Sequence, residues 1–196
     1  MFNKLNKWDT DLFLCLNKAH NSFWDAIMYW ASDKLFWFPF YVFLLVLVIT
    51  VFKKKSVLIS LFIAALITAS DQLASNLIKN TVKRFRPSHE AALQGLIHIS
   101  KAGAGGPYGF ISSHASNSFA LFVFLSLLLP RSYKWLKYIL LFWAILVSYS
   151  RIYNGVHYPG DVAAAALSGS LLGWLFAKIY FFVIEKNRLR NNIINN

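Results

Sequence analysis

The sequence predicts an all-α bundle of transmembrane helices, folded as a single domain over residues 1–196. Hydrophobic residues make up 57% of the chain, charged residues make up 14%, and the mean hydropathy is +0.48. A soluble domain of ordinary composition carries more charge and fewer apolar side chains. Several apolar stretches approach the length of about 20 residues that a helix needs to cross the hydrocarbon core. The composition shows no shift that would mark a linker, so we expect one polytopic domain.

Five stretches are predicted to span the membrane, at about 35–52, 56–79, 113–130, 134–150 and 161–184. The segment before them, about 8–33, differs because charged and polar side chains interrupt its apolar residues. Such groups are costly inside lipid and are better placed at its interface. We therefore predict two short interfacial helices, at about 9–19 and 23–32. A sixth crossing through this segment is the alternative.

The charge of the chain favours lipid head groups as partners. The formal net charge is +12, but Lys and Arg residues lie in clusters between apolar stretches. This pattern is unlike the basic, aromatic-rich surface of a nucleic-acid-binding domain, so no nucleic-acid partner is expected.

Cys15 is the single cysteine and cannot form an internal disulfide. No small-residue cleavage pattern follows the short apolar stretch 12–16, so no cleavable signal peptide is expected.

Basic residues also predict the orientation of the helices. Lys53–Lys55, the segment 131–137 and the segment 186–190 follow the first, third and fifth predicted spans. The positive-inside rule places these ends in the cytoplasm, so the opposite ends face outward from the cytoplasmic (inner) membrane, on the periplasmic side. The outward ends carry basic residues too, namely Lys79, Lys83, Arg84, Arg86 and Arg151. Binding of an anionic substrate would explain this exception to the rule.

The first outward segment contains two cations that suit a phosphate group. Lys79 and Arg86 are seven residues apart, which on a helix puts them two turns apart on nearly one face. Pro87 would end that helix. Arg binds phosphate through two parallel hydrogen bonds and Lys acts as a point charge, so together they predict an anion clamp. The alternative is that these basic side chains reach toward lipid head groups, and we favour it for Lys83 and Arg84.

Two further outward segments place histidines at helix starts. Ser112 stands at the predicted N-cap of the helix that begins near His114, where free N–H groups favour an anion. Pro159 suits the first turn of the next helix, which puts Asp161 in that turn and His157 just before it. A carboxylate one turn from an imidazole can fix its tautomer and raise its nucleophilicity. Each feature alone has a plain alternative, a helix cap or an interfacial histidine.

The longest stretch that is not apolar, about 87–112, is predicted to be a mobile outer loop. Its residues 103–109 are rich in glycine, which would let backbone N–H groups approach an anion. A flexible connector is the equal alternative for these glycines.

Together the three segments resemble the signature of the type 2 phosphatidic acid phosphatase superfamily. That signature reads Lys-x6-Arg-Pro, then Pro-Ser-Gly-His, then Ser-Arg-x5-His-x3-Asp. The first and third parts match at every defined position, within 79–87 and 150–161. In the second part Ser112 and His114 match, whereas Ile111 replaces Pro and Ser113 replaces Gly. The resemblance covers residues 79–161 by motif and most of the chain by the order of its spans.

The resemblance implies a role for each matching residue. His157 would attack phosphorus to form a phosphohistidine, Asp161 would orient its imidazole, and His114 would protonate the leaving oxygen and later activate water. The residues implied to hold the phosphoryl oxygens are Lys79, Arg86, Ser112, Ser113 and Arg151. No metal and no cofactor are implied. A metal site built from the two histidines and Asp161 is the competing use of the same atoms, which the flanking cations disfavour.

The resemblance implies a metal-independent membrane phosphatase that acts on a lipid phosphate or diphosphate. Undecaprenyl diphosphate, phosphatidylglycerophosphate, phosphatidic acid and the phosphates of lipid A are candidates, and the short chain favours the first or the last. A lipid phosphotransferase is one alternative. A vanadate-dependent haloperoxidase, which resembles these motifs, is disfavoured by the spans. A non-catalytic phospholipid-binding protein would not need both histidines and Asp161. No obligatory protein partner is indicated.

Overall fold

The fold is mostly helical in the part of the chain that the computed structural model describes, which is the backbone of residues 2–194 and the side chains of residues 4–186. The α-helices are α1 Phe2–Lys18, α2 Ser22–Ser32, α3 Phe38–Phe52, α4 Ser56–Gln72, α5 Lys79–Val82, α6 Ser113–Leu128, α7 Lys134–Tyr153 and α8 Pro159–Ile194. A π-helical turn, Leu73–Ile78, joins α4 to α5. Within residues 2–194 no strand forms, and Phe85 and Tyr108 make one isolated antiparallel bridge.

Each predicted span coincides with a helix, but the number of membrane crossings stays a prediction. Two helical segments are long and apolar enough to cross a membrane by length and composition, Arg131–Tyr153 and Pro159–Lys186. The helices α3 and α6 have only 15 and 16 residues. Helix α3 ends at three lysines, where Lys53 adopts a left-handed φ of 48°.

The N-terminal segment forms two helices, not one continuous helix. The break lies at Ala19–Asn21, and Asn21 is the N-cap of α2, where its Oδ1 accepts a hydrogen bond from the Trp24 N–H at 3.0 Å. Such a cap satisfies one of the free N–H groups of the new helix and fixes its start. The two predicted helices are thus present, although α1 begins at Phe2 and not near residue 9. Their position at the membrane interface stays a prediction.

Helix α6 lies at the centre of the bundle and packs against α4, α7 and α8. Its Phe124 is fully buried, as are Leu136, Leu140 and Ala144 of α7. Large apolar side chains also cover the outside of the bundle, including Leu167, Leu171 and Phe182 of α8 and Phe142 of α7. An apolar outer surface of this kind is what lipid chains cover.

Helices α6 and α8 approach each other at two glycines. A Cβ atom at Gly169 would overlap the backbone oxygen of Ser116, and one at Gly173 would overlap that of Ala120. Small residues at such a contact let helix backbones touch, as is common in membrane bundles. This contact fixes the first turns of the two helices relative to each other, and those turns carry His114 and Asp161.

Candidate active site

His157 and Asp161 lie together at the junction of α7 and α8. The His157 side chain is 2% exposed and Asp161 is fully buried, and His157 Nδ1 is 3.6 Å from Asp161 Oδ2. The turn between the helices is held by the His157 N–H, which donates to the Arg151 oxygen at 3.2 Å. Pro159 begins α8, as the sequence predicts. The imidazole is therefore presented next to a carboxylate by a rigid turn.

Two donors hold the Asp161 carboxylate in place. Arg84 Nη1 donates to Oδ1 at 2.8 Å, and the Tyr158 N–H donates to Oδ2 at 3.0 Å. A buried carboxylate needs such partners, because burial of an unpaired charge is costly. The oxygen that faces His157 is thus fixed in position.

The surroundings of His157 favour its neutral form. Burial lowers the pKa of His157 well below its usual value, and the charges of Arg86, Arg151 and Lys79 lower it further. A hydrogen bond with the Gly109 backbone raises the pKa of His157, but by less than burial and the three cations lower it. A neutral imidazole keeps the lone pair that a nucleophile requires.

Arg86 is held close to this histidine by the outer loop. Its side chain is 9% exposed, its Nε donates to the Tyr108 oxygen at 3.0 Å, and its N–H donates to the Pro107 oxygen at 2.9 Å. The guanidinium packs on Gly105, where φ is +68° and a Cβ atom would lie 2.6 Å from Arg86 Nη1. Glycine is required there for the close approach as well as for the backbone conformation.

The structure corrects the expectation that Lys79 and Arg86 share one helix face. Helix α5 ends at Val82, Lys83 adopts a left-handed φ of 49°, and the chain then runs extended to Pro87. Helical backbone angles are disfavoured for a residue that precedes a proline, such as Arg86. The extended segment 84–86 instead forms backbone hydrogen bonds with residues 107–109 of the loop. Both cations still lie near His157, although they do not share a helix.

Three polar atoms near the site are buried without a hydrogen-bond partner among the described residues. They are Ser112 Oγ, Arg151 Nε and His157 Nδ1. Ser112 is the N-cap of α6, as predicted, yet its hydroxyl makes no capping bond. Arg151 is anchored through Nη1, which donates to Ser32 Oγ. Buried polar groups usually have partners. His157 Nδ1 faces the Asp161 carboxylate at 3.6 Å, whereas Ser112 Oγ and Arg151 Nε mark a place where the oxygens of a ligand can bind.

Ser113 and His114 occupy different places at the start of α6. The Ser113 hydroxyl is paired with the Ser75 hydroxyl at 2.8 Å, so the side chain is engaged with the π-helical turn and not with the site. The His114 side chain lines an apolar cavity of about 460 Å³ between α3, α4, α6 and α7. Of these two predicted residues, only His114 presents its side chain to a space that a substrate can fill.

Sequence reasoning missed a pair of residues that supports the site. Arg84 was expected to reach toward head groups, but it lies between Asp9 and Asp161, with Nη2 2.8 Å from Asp9 Oδ2 and Nη1 2.8 Å from Asp161 Oδ1. Its guanidinium also lies 4.0 Å from the centre of the Tyr158 ring. Burial alone would lower the pKa of Arg84, but the two carboxylates raise it above its usual value. Asp9 additionally accepts a hydrogen bond from the Gly160 N–H at 2.7 Å. The sequence signal that could have identified Asp9 is a carboxylate among the apolar residues of the N-terminal segment.

The sequence of this chain is similar to those of known proteins. The sequence matches the family model of the PAP2 superfamily over residues 56–187. The chain belongs to the PAP2 superfamily. It is similar to a lipid A 4'-phosphatase of Bacteroides thetaiotaomicron, at 38% identity over 95% of this chain and 81% of that protein. A lipid A 4'-phosphatase of Porphyromonas gingivalis is 32% identical over 89% of this chain and 73% of its own length.

The fold of this PAP2 protein is shared with solved structures. A transmembrane PAP2-type phosphatidylglycerolphosphate phosphatase of Bacillus subtilis has a TM-score of 0.70 at 20% identity, with 92% of this chain and 88% of that chain covered. The family, the relatives and the apolar helices together identify the chain as a membrane lipid phosphatase.

A metal-ligand arrangement occurs in this PAP2 phosphatase, but outside the site described above. Among the described side chains, His20, Asp25 and His98 bring their ligand atoms within 4.8 Å of one another. The competing metal set of His114, His157 and Asp161 is not drawn together in this way.

Proposed function

We propose that this phosphatase hydrolyses the 4'-phosphate of lipid A, with His157 as the nucleophile. The substrate assignment is carried by similarity to two lipid A 4'-phosphatases over nearly the whole chain. The catalytic assignment is supported by the buried, neutral imidazole of His157 and its carboxylate and cation neighbours.

In the first step, His157 attacks phosphorus. Because Nδ1 is directed at the Asp161 carboxylate, Nε2 is the ring nitrogen that forms the bond to phosphorus. The bond between phosphorus and the lipid oxygen breaks, and His114, which enters this step as an imidazolium, donates its proton to that oxygen. The products of this step are the dephosphorylated lipid and a phosphohistidine.

In the second step, water attacks the phosphohistidine. His114, now neutral, removes a proton from that water, and the bond between phosphorus and nitrogen breaks to release orthophosphate. Lys79, Arg86 and Arg151 balance the charge on the phosphoryl oxygens in both steps. The unpaired Ser112 hydroxyl and the N–H groups at the start of α6 add neutral donors.

The apolar cavity beside His114 supports a lipid substrate. It is lined by side chains that include Trp37, Tyr41, Leu121 and Leu125. A space of this kind accepts part of an acyl chain while the phosphate lies among the cations. The leaving oxygen would then lie at the boundary between the two environments, next to the proposed acid.

We also propose that the site faces outward from the inner membrane. The lysines at 53–55 and the basic segment 131–137 lie at turns between helices, at the ends opposite to those that carry the site residues. The positive-inside rule then places those turns in the cytoplasm and the site on the outer side.

The test is phosphate release by the purified protein in detergent. Bisphosphorylated lipid A, undecaprenyl diphosphate and phosphatidylglycerophosphate are supplied separately, and the lipid products are identified by mass spectrometry. Release from the 4'-position of lipid A, lost in His157→Gln and kept in the exposed control His89→Gln, is the expected result. Preference for another lipid would overturn the substrate, and activity in His157→Gln would overturn the nucleophile. Rapid quenching under alkaline conditions should recover labelled phosphohistidine from the wild type.

A further inference from the structure

Three side chains from separate parts of the chain meet near the turn that leads to His157. His20 lies in the break between α1 and α2, Asp25 lies in the first turn of α2, and His98 lies in the loop that precedes α6. His98 Nε2 is 2.9 Å from Asp25 Oδ1, and the rings of His20 and His98 stack with their centres 3.9 Å apart at 6°. Two imidazoles and one carboxylate therefore converge on one small volume.

Surrounding groups hold this cluster in place. The Tyr153 hydroxyl donates to Asp25 Oδ1 at 2.8 Å. The side-chain amide of the buried Asn17 makes two hydrogen bonds to the His98 backbone. Its Nδ2 donates to the His98 oxygen at 2.9 Å, and its Oδ1 accepts from the His98 N–H at 2.7 Å. Outer partners that fix the orientation of ligands in this manner are typical of built metal sites.

We propose that His20, Asp25 and His98 bind a divalent transition-metal ion, with Zn²⁺ the best match. Two imidazole nitrogens and a carboxylate are a common three-residue zinc set, and a fourth position then remains for water. Stacked rings must tilt before both nitrogens can point at one ion. The His20 side chain is exposed and has room to make that change.

The ion would join three parts of the outer face. His98 belongs to the loop whose later residues pack on Arg86, and His20 and Asp25 belong to the corner between the N-terminal helices. The His98 oxygen also lies against Gly155, where φ is +78° and a Cβ atom would not fit. Gly155 is in the turn that leads to His157. The ion would thus fasten the loop and the N-terminal helices to that turn, away from the reacting phosphate.

The test measures metal binding by the full-length protein, independently of catalysis. Protein in detergent is treated with EDTA, freed of the chelator, and titrated with Zn²⁺ by calorimetry and with Co²⁺ by absorption. The variants are His20→Ala and His98→Gln. His89→Ala is the matched control, because His89 is an exposed histidine of the same outer loop. His157→Gln shows whether the active site itself takes up the ion.

We expect one Zn²⁺ per chain in the wild type, in His89→Ala and in His157→Gln. Affinity should fall more than about 100-fold in His20→Ala and in His98→Gln, since even outer partners of metal ligands contribute about 10- to 100-fold. An excess of zinc of about 100 times Kd should raise the Tm of the wild type by roughly 5 °C or more, and should not raise that of His20→Ala. No zinc bound by the wild type, or zinc bound by both cluster variants with the affinity of the wild type, would show that the cluster is only hydrogen-bonded. Loss of binding in His157→Gln alone would place the ion in the active site and overturn the proposal.

Discussion

The ion pairs of Arg84 allow a test of how Asp161 is positioned. Arg84→Gln would leave the fully buried Asp161 carboxylate without the cation that lies 2.8 Å from its Oδ1. Removal of one partner from a buried ion pair costs about 3–5 kcal/mol, and the 20% exposure of Arg84 favours the lower end of that range. This cost is a free energy of unfolding, and it reaches kcat only as far as the Asp161 carboxylate is displaced. Because about 1.4 kcal/mol corresponds to a tenfold change in rate, full expression of about 3 kcal/mol would lower kcat by about 100-fold, which is the effect we expect as an upper limit. KM should change less than about threefold, because Arg84 is already paired and does not bind the phosphate.

A second substitution distinguishes positioning from general damage. Asp9→Asn alone removes one of the two carboxylates that hold Arg84, and we expect kcat to fall about fivefold. In the Arg84→Gln background Asp9 is an uncompensated negative charge near Asp161, so Asp9→Asn should restore kcat about fivefold. A double-mutant cycle measures whether Asp9→Asn lowers kcat in the wild type and raises it in Arg84→Gln.

Steady-state phosphate release from lipid A is the assay, and circular dichroism checks that each variant is folded. Lys83→Gln is the matched control, since it removes an equal charge from the exposed neighbouring residue. The positioning role is refuted if Arg84→Gln keeps kcat within about threefold of the wild type. It is also refuted if the kcat losses of Arg84→Gln and Asp9→Asn add in the double variant.

Three further predictions concern the loop, the nucleophile and the cavity. Gly105→Ala should raise KM about tenfold, because the new Cβ would displace the Arg86 guanidinium, and unchanged KM in the same phosphate-release assay would contradict this packing. Burial and nearby cations lower the pKa of His157, so its imidazole should stay neutral as pH falls through 6.5 and become charged only at lower pH. Nitrogen NMR of labelled histidine, assigned by the signal missing in His157→Gln, checks the midpoint, and a midpoint above 6.5 would contradict the electrostatic argument. Ala64→Trp, which fills the cavity, should lower turnover of lipid A about tenfold but leave p-nitrophenyl phosphate hydrolysis within about twofold. The neighbouring exposed Ala65→Trp is its control, and equal losses on both substrates would refute a lipid-binding role for the cavity.

The helices could be predicted from the sequence because the signals that define them are local. The predicted stretch 134–150 corresponds to α7 at Lys134–Tyr153, and 113–130 corresponds to α6 at Ser113–Leu128. Apolar runs, a serine cap and a proline at a first turn all lie within the segment they describe. The close placement of His157 and Asp161 was predictable for the same reason, since Asp161 lies in the first turn of α8 and His157 lies two residues before that helix begins.

The remainder of the site depends on contacts between distant parts of the chain. Arg84 pairs with Asp9 and Asp161, which are 75 residues before it and 77 residues after it. Nothing in the local sequence of Arg84 indicates those partners. The relation of Lys79 to Arg86 was wrongly predicted because a helix was extended through Lys83, whose left-handed backbone ends α5. The loop residues that pair with the extended segment after it, 107–109, lie more than twenty positions away.

The glycine contact between α6 and α8 determines which side of the bundle can move. Gly169 and Gly173 have no side chains that could retract, so widening this seam would separate two backbones along a full helical turn or more. His114 and Asp161, at the starts of the two helices, therefore travel as one block. The cavity is lined by α3 and α4 as well as by α6, so it can change width at α3 and α4 without separating α6 from α8. Substitutions in α3 and α4 can retune which lipid is admitted while the spacing of the proposed catalytic groups stays unchanged.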